Sequence, residues 1–338
     1  SAFFDYDKDG DLDCFILSQT TLSNRVILDS KERNIKHSFF KSRLLRNELN
    51  TGIKKFTDVS TASGIYQTIL GYGLGIAVGD LNNDGWEDVY IGNDFYENDY
   101  YYENNKDGTF TEKGKTCFDY YSMFSMGNDI ADFNNDGQLD VVTVDMLADE
   151  EELLKRYLIE DDLPLYKQKY IYNGYHYQFS NNCLHVNNGN ASSFTEVSFL
   201  SGISATGWSW SPLFADFDND GNKDLFITSG IEKNAVDADY VKYISSMPAN
   251  KRQSLLIDEQ NNIIEKIPGG KSHMYMYKGD GKLSFKDMSN SWGIGNNKGA
   301  FNGAVYSDLN NDGLLDLIVN AFDSTAIVYK NTGSTNNY

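Results

Sequence analysis

Short apolar runs punctuate the chain, and each is bounded by a patch of aspartate, asparagine and glycine. In the most compact stretch, Leu74–Gly79, Asp88–Gly92, Tyr100–Glu103 and Phe110–Glu112 follow one another, each with the length and content of a strand. The third of these runs corresponds to Arg43–Arg46, Cys183–Val186 and Met274–Tyr277 elsewhere, each placed before a Gly/Asn/Asp-rich turn of the hairpin kind. Leu225-Phe-Ile and Leu317-Ile-Val read as buried strands of the second type. The pattern predicts four antiparallel strands, repeated.

A nine-residue motif precedes the second strand of every set. Asp216-Phe-Asp-Asn-Asp-Gly-Asn-Lys-Asp224 places carboxylates at positions 1, 3, 5 and 9 and a glycine at 6. The motif recurs at Asp5–Asp13, Asp80–Asp88, Asp132–Asp140 and Asp308–Asp316. Side chains at 1, 3 and 5 converge only if the backbone turns sharply, and the glycine supplies the φ > 0 that such a turn needs. A second motif, Phe56-Thr-Asp-Val-Ser-Thr-Ala-Ser-Gly-Ile65, returns at Phe194–Ile203 and Phe285–Ile294, with a degenerate copy from Phe110. From that Phe to the next nonamer is 24, 22, 22 and 23 residues, whereas from a nonamer to the next Phe is 51, 30, 62 and 69. Half of each unit is therefore fixed in length and the other half absorbs the insertions. The shortest period, Asp80 to Asp132, is 52 residues, the size of a four-stranded propeller blade. The expected fold is an all-β propeller with small helical insertions. Its blades are placed at 1–65, 66–120, 121–203, 204–294 and 295–338.

Positions 1, 3, 5 and 9 hold 17 aspartates across the five nonamers, with Asn82, Asn134 and Asn310 completing the set. Like charges ~5 Å apart repel by ~3 kcal/mol per pair at an effective dielectric of ~20, so a cation is needed to hold them together. All-oxygen ligation fits Ca²⁺, whereas zinc would call for Cys or His. The expected ligands are Asp5, Asp7, Asp9 and Asp13; Asp80, Asn82, Asp84 and Asp88; Asp132, Asn134, Asp136 and Asp140; Asp216, Asp218, Asp220 and Asp224; and Asp308, Asn310, Asp312 and Asp316. The position-7 carbonyls of Asp11, Trp86, Gln138, Asn222 and Leu314 complete about five Ca²⁺ sites. An EF-hand would carry a bidentate Glu at position 12. Here that place is Ile16, Ile91, Thr143, Ile227 or Val319, so the loop feeds a strand.

Five Ca²⁺ ions would halve the formal net charge of −20, making much of the acidity ligand rather than repelling surface. No basic stripe exists to neutralise phosphates, which argues against nucleic acid as a partner. No apolar run approaches the ~20 residues of a membrane helix. The three cysteines do not make a disulfide framework. Cys14 and Cys183 read as buried thiols, and the state of Cys117 is open. Five weak-to-moderate calcium sites suit an extracellular or cell-surface setting.

Repeats reading Asp-Phe-Asn-Asn-Asp-Gly-x-x-Asp plus an apolar run, then Asn-Asn-x-Asp-Gly and Phe-Thr-Glu, resemble FG-GAP/VCBS repeats along essentially the whole chain. Gly207-Trp-Ser-Trp-Ser-Pro-Leu-Phe-Ala-Asp-Phe-Asp-Asn-Asp-Gly221 is similar to bacterial relatives of cartilage acidic protein, which often carry an ASPIC/UnbV-type domain. The resemblance implies calcium and a propeller on the bacterial outer surface. Adhesion proteins, integrin-like heads, surface lipoproteins and some polysaccharide lyases share such repeats. Ser1–Phe4 looks like the tail of a first strand, and the fifth unit stops after Ala326–Tyr329 and Gly333. The expectation is five blades of a larger ring, most often seven in similar proteins.

Three insertions fall between second and third strands. Residues 20–42 are mixed and basic. The second insertion, 145–180, opens with a predicted helix over Asp149–Leu158 bounded by Pro164, then a cluster of Tyr166, Tyr170, Tyr172, Tyr175 and Tyr177. The third, 231–271, predicts helices over Asp237–Ser246 and Pro248–Ile257. Surface tyrosines would stack on sugars or anchor a protein partner, or else pack the insertion on its own blade. Trp208 and Trp210 carry the same two readings, blade packing or ligand stacking. No nucleophile elbow, zinc motif or phosphate loop appears. The leading reading is a non-catalytic, calcium-binding module engaging a protein or glycan. The alternatives are a calcium-dependent polysaccharide lyase or hydrolase, with His176 or Tyr175 as base, and a structural subunit of an outer-surface complex.

Overall fold

In the computed structural model, which describes residues 1–20, 27–39, 41–157, 161–247, 263–322 and 324–333, the apolar runs pair into five antiparallel sheets. Blade one contains Ala2–Phe4, Asp13–Ile16, Arg43–Asn47 and Phe56–Asp58. Blade two contains Gly73–Gly79, Asp88–Asn93, Tyr100–Asn104 and Phe110–Glu112. Blade three contains Gly127–Ala131, Asp140–Val144, Cys183–Asn187 and Phe194–Glu196. Blade four contains Ser209–Ala215, Asp224–Ser229, Tyr275–Gly279 and Phe285–Asp287. The fifth has three strands among the described residues, Phe301–Ser307, Asp316–Ala321 and Ile327–Tyr329. Strands pair in chain order within each sheet, and the first strands of successive blades lie side by side. This is the radial array of a β-propeller.

Strand alternation explains the stacking. Val89 and Ile91 of blade two face blade one, joining Phe15 and Leu44, while Tyr90 between them faces blade three. Leu225 and Ile227 of blade four pack toward blade three, and Phe226 packs toward Leu317 and Val319 of blade five. A central blade is thus apolar on both faces, and its second strand reads as a continuous hydrophobic run. Burial of each such side chain contributes about 1.5–3 kcal/mol. Trp208 and Trp210 pack partly buried against the cluster between blades three and four, and Trp210 Nε1 donates to the Gly230 carbonyl at 3.0 Å. They serve blade packing. All three cysteines, Cys117 included, are buried free thiols.

Because the strands run up and down, the loops holding the nonamers lie at one end of the blades and the insertions at the other. Asp237 caps the helix Ala238–Ser246 by accepting from the Asp239 and Tyr240 amides. The helix expected over Asp149–Leu158 is shorter, one turn at Glu151–Leu154. Tertiary pairing ends it: Tyr157 bridges to Asp237, and Arg156 forms a 2.7 Å ion pair with the same aspartate. Pro164 stands in the first turn of a further helix, Leu163–Tyr166, which widens into a π-turn over Lys167–Tyr172. Leu158 and the Pro248–Ile257 segment lie outside the described residues. No helix among the described residues is long and apolar enough to cross a membrane.

His185 in the third strand of blade three is 1% exposed, with its ring edge-on to Phe118 at 4.9 Å between centroids. Burial pushes its pKa down to about 4, against an opposing pull from Glu196. The folded state therefore holds it neutral where the unfolded chain protonates it, so stability is full above about pH 6.5 and is lost as pH falls toward 4. His185→Gln should remove about 2 kcal/mol of the stability loss between pH 7.5 and 4.5. Parallel pH–stability curves for parent and variant in denaturant titrations would refute this.

Candidate functional site

The five nonamers fold alike. The position-1 carboxylate accepts from the amides of positions 5 and 6; Asp80, for example, receives Asp84 N–H at 2.9 Å and Gly85 N–H at 2.7 Å. Asp5, Asp132, Asp216 and Asp308 do the same. The position-5 carboxylates of Asp9, Asp84, Asp136, Asp220 and Asp312 accept from the amides of Asp11, Trp86, Gln138, Asn222 and Leu314. Asn82, Asn134 and Asn310 turn their amide oxygens onto the position-5 amide at 2.9–3.0 Å. The glycine at position 6 has φ between 83° and 94° in every copy, as the sequence requires.

The aspartate at position 9 has a different task. Asp13, Asp88, Asp140, Asp224 and Asp316 are all buried. One oxygen of each accepts from the position-2 amide of its own loop at 3.0–3.4 Å. The other accepts from an amide near the end of the blade's third strand, that of Asn47, Asn104, Asn187, Gly279 or Asn331, at 2.8–3.1 Å. Each is a staple between loop and sheet. Burial pushes Asp13, Asp88, Asp140 and Asp224 up to about 7, the hydrogen bonds offsetting only part of the cost.

In the two loops where position 3 is also aspartate, three carboxylates converge. Asp5, Asp7 and Asp13 offer carboxylate oxygens within 4.8 Å of one another, as do Asp216, Asp218 and Asp224. Asp7 Oδ1 is buried and has no hydrogen-bond partner. The donor set is all oxygen and fits a hard cation. In blade four the Lys278 ammonium lies against Asp218 and Asp220, 2.6 Å from the latter. Lys106 reaches Asp84 at 3.2 Å and Lys330 reaches Asp312 at 3.6 Å.

Two sets of residues escaped the sequence reading. Position 4 (Lys8, Asn83, Asn135, Asn219, Asn311) is left-handed in all five loops, with φ 56–59°. Asn tolerates that conformation, and its recurrence was the available signal. Asn83, Asn135 and Asn219 also donate to the Gly137, Gly221 and Gly313 carbonyls of the next loop, joining the loops into a belt. The second set is the asparagine ending the third strand. Asn104, Asn187 and Asn331 donate both to the position-8 carbonyl of their own loop and to the position-2 carbonyl of the preceding blade. Blade four has Gly279 there, and a Cβ would lie 2.1 Å from the Lys223 carbonyl oxygen.

At the opposite end, the insertion of blade three frames a cleft of about 990 Å³. Its walls are Tyr120, Tyr157, Tyr166, Tyr170, Phe179 and Phe199, and Gln178, Ser180 and Asn181 line it between them. Of the tyrosine cluster, only Tyr166 and Tyr170 line this space. Tyr172 and Tyr177 are exposed outside it, and Tyr175 is buried with its hydroxyl on the Leu28 carbonyl. His176 Nε2 bonds the Phe118 carbonyl at 2.8 Å.

Residues 80–143 match the FG-GAP-like repeat family. No curated protein matches the chain. Among solved structures, an Agrocybe aegerita lectin described as recognising non-reducing terminal N-acetylglucosamine aligns with 98% of this chain at 13% identity and a TM-score of 0.41. The chain spans 65% of that lectin's length.

The bridging asparagine gives a direct test of the belt. Asn187→Ala removes donors from the Leu81 and Leu139 carbonyls and an acceptor from two turn amides, all within one strand end. It should cost about 2–4 kcal/mol. Asn47→Ala, whose side chain donates to Leu12 and accepts from the Leu49 amide within its own blade, should cost about 1 kcal/mol. Equal shifts of the denaturant midpoints would dismiss the inter-blade bridge.

Proposed function

We propose, from the premise that the chain is a β-propeller built of FG-GAP-like repeats, that it is a non-catalytic binding module whose scaffold is held by calcium. The observation that carries the reading is the division between the two ends of the blades. One end holds five loops of one geometry, and the other holds insertions of unequal length around an aromatic cleft. Binding residues commonly sit on variable loops carried by a rigid scaffold.

Asp5, Asp7, Asp9 and Asp13, with their counterparts in the other four loops, would hold the ions together with the position-7 carbonyls. When bound, Ca²⁺ would supply positive charge to carboxylates that burial otherwise drives toward protonation. The unpartnered Asp7 Oδ1 and the convergence of oxygens in loops one and four support this. Secretion to a cell surface, where calcium is plentiful, is part of the same proposal, and the partner is a surface glycan or protein.

A lyase or hydrolase has no comparable support. Burial raises the Tyr175 hydroxyl well above its ordinary value, the wrong direction for a base. His176 is lowered by burial, and its Nε2–H donates to the Phe118 carbonyl, which leaves Nδ1 as the nitrogen that could take a proton.

Two measurements test the metal. A site with Kd ~10 µM in ~1 mM calcium stabilises the fold by ~2.7 kcal/mol, so excess EGTA should lower the melting temperature sharply. An unchanged melting curve would remove calcium from the scaffold. Lys278→Met should raise calcium affinity at loop four severalfold, because an incoming ion no longer displaces an ammonium from Asp218 and Asp220. Unaltered affinity in calorimetric titration of that variant would show that the lysine does not compete.

A further inference from the structure

We infer that the aromatic cleft of blade three binds an uncharged oligosaccharide, an assignment that rests on the binding-module reading and gives it a ligand class. The walls come from separate parts of the chain. Tyr157, Tyr166 and Tyr170 come from the insertion, Phe179 from a short parallel strand pair and Tyr120 from just before it, and Phe199 from the turn after the outer strand. Phe179 and Phe199 are 49% and 65% exposed, apolar rings held open to solvent.

Four of the six rings are held by one another or by hydrogen bonds. Tyr166 meets Tyr170 edge-on at 4.8 Å, and Tyr120 meets Phe179 in the same way at 5.0 Å. Tyr120 donates to Glu196 at 2.6 Å, and Tyr170 donates to the Gln178 carbonyl at 3.2 Å. Gln178 is 1% exposed; its Nε2 donates to the Glu97 carbonyl, and its Oε1 has no hydrogen-bond partner. Ser180 and Asn181 belong to the same lining, the hydroxyl held by Asp145 at 3.0 Å and the amide by the Asn182 carbonyl at 2.7 Å. Planar rings with a few fixed polar groups suit a ligand with flat C–H faces and hydroxyl edges, which describes a pyranose.

Charge narrows the class. Among the described residues, Asp161 is the only carboxylate or amine on the lining, and it lies 3.0 Å from the buried Lys169 ammonium, which is itself seated over the Tyr96 and Tyr170 rings. No described lining residue offers a cation to a uronate or sulfate, and five Ca²⁺ ions would halve but not remove the formal net charge of −20, so polyanions are still repelled. An extended peptide would want backbone groups on an open strand edge. The Phe179 carbonyl, the nearest candidate, already accepts from Met123 and Asn181.

The test is calorimetric titration of the calcium-loaded chain with neutral hexasaccharides built from glucose, mannose, galactose or N-acetylglucosamine, alongside sulfated and uronate-containing hexasaccharides. At least one neutral hexasaccharide should bind, and Tyr166→Ala and Phe179→Ala should each weaken it about tenfold or more. Phe199→Ala, at an exposed ring, is a third variant with little risk to folding; melting temperature and calcium uptake serve as fold controls. Absence of binding by every neutral probe, binding indifferent to all three variants, or binding of charged probes alone would overturn the assignment. A peptide or protein captured through these rings in place of any saccharide would also overturn it, while leaving the binding-module reading intact. Cleavage of a bound saccharide would instead sink the non-catalytic reading and support the cleft.

Discussion

Five buried carboxylates set the terms for this fold. The aspartate that ends each nonamer lies at the start of the second strand, out of water, and grips its loop with one oxygen and the third strand with the other. A carboxylate in that position is costly unless positive charge or donors surround it. Two backbone donors are present, yet four of the five are still pushed up to about 7, so donors alone do not settle the charge. The cation proposed for the loops would act at this point, and its effect would reach the sheet because the same side chain belongs to both.

From this staple the rest of the rim follows. The position-2 carbonyls of loops one, two and four accept from the asparagine of the next blade, and the position-4 asparagines of loops two, three and four donate to the next loop. Adjacent blades are therefore joined twice: by apolar side chains between the sheets and by polar bonds along the loop rim. Apolar packing alone is tolerant of sliding, since hydrophobic contact is not directional. Hydrogen bonds at fixed sites remove that freedom and set the angle between blades.

Much of this was legible in the chain because it is local. Ligand spacing within nine residues and alternation within a strand do not depend on distant partners, and the strands predicted from them lie within two residues of those observed. The asparagines at position 4 and at the third-strand end were equally visible as repeats. Their meaning was not, because each acts on a neighbouring blade. The helix expected from Asp149 failed for a related reason: local propensity favoured another turn, but Arg156 and Tyr157 find better partners in Asp237, which belongs to the next insertion. Propensity is a weak prior when a charged pair competes with it.

The insertions illustrate the limit most clearly. By length variation they read as separate recognition elements, each packed at most on its own blade. Yet Arg33 from the first insertion pairs with Glu97 at 2.6 Å and with Asn98 at 2.8 Å, and Asn98 exchanges hydrogen bonds with the backbone of His176. Asn173 and Tyr175 return to the Ile27 and Leu28 carbonyls of the first insertion. Two insertions thus meet across the short connection of blade two, whose Glu97, Asn98 and Asp99 are buried beneath them. Removing residues 149–177 would strip the Tyr175 ring from the Arg33 guanidinium and the His176 backbone from Asn98, and leaving buried polar groups unpaired costs far more than trimming a loop. The variable end of the propeller is therefore a second polar network. Its rigidity is what lets Tyr166, Tyr170 and Phe179 keep a cleft open between them.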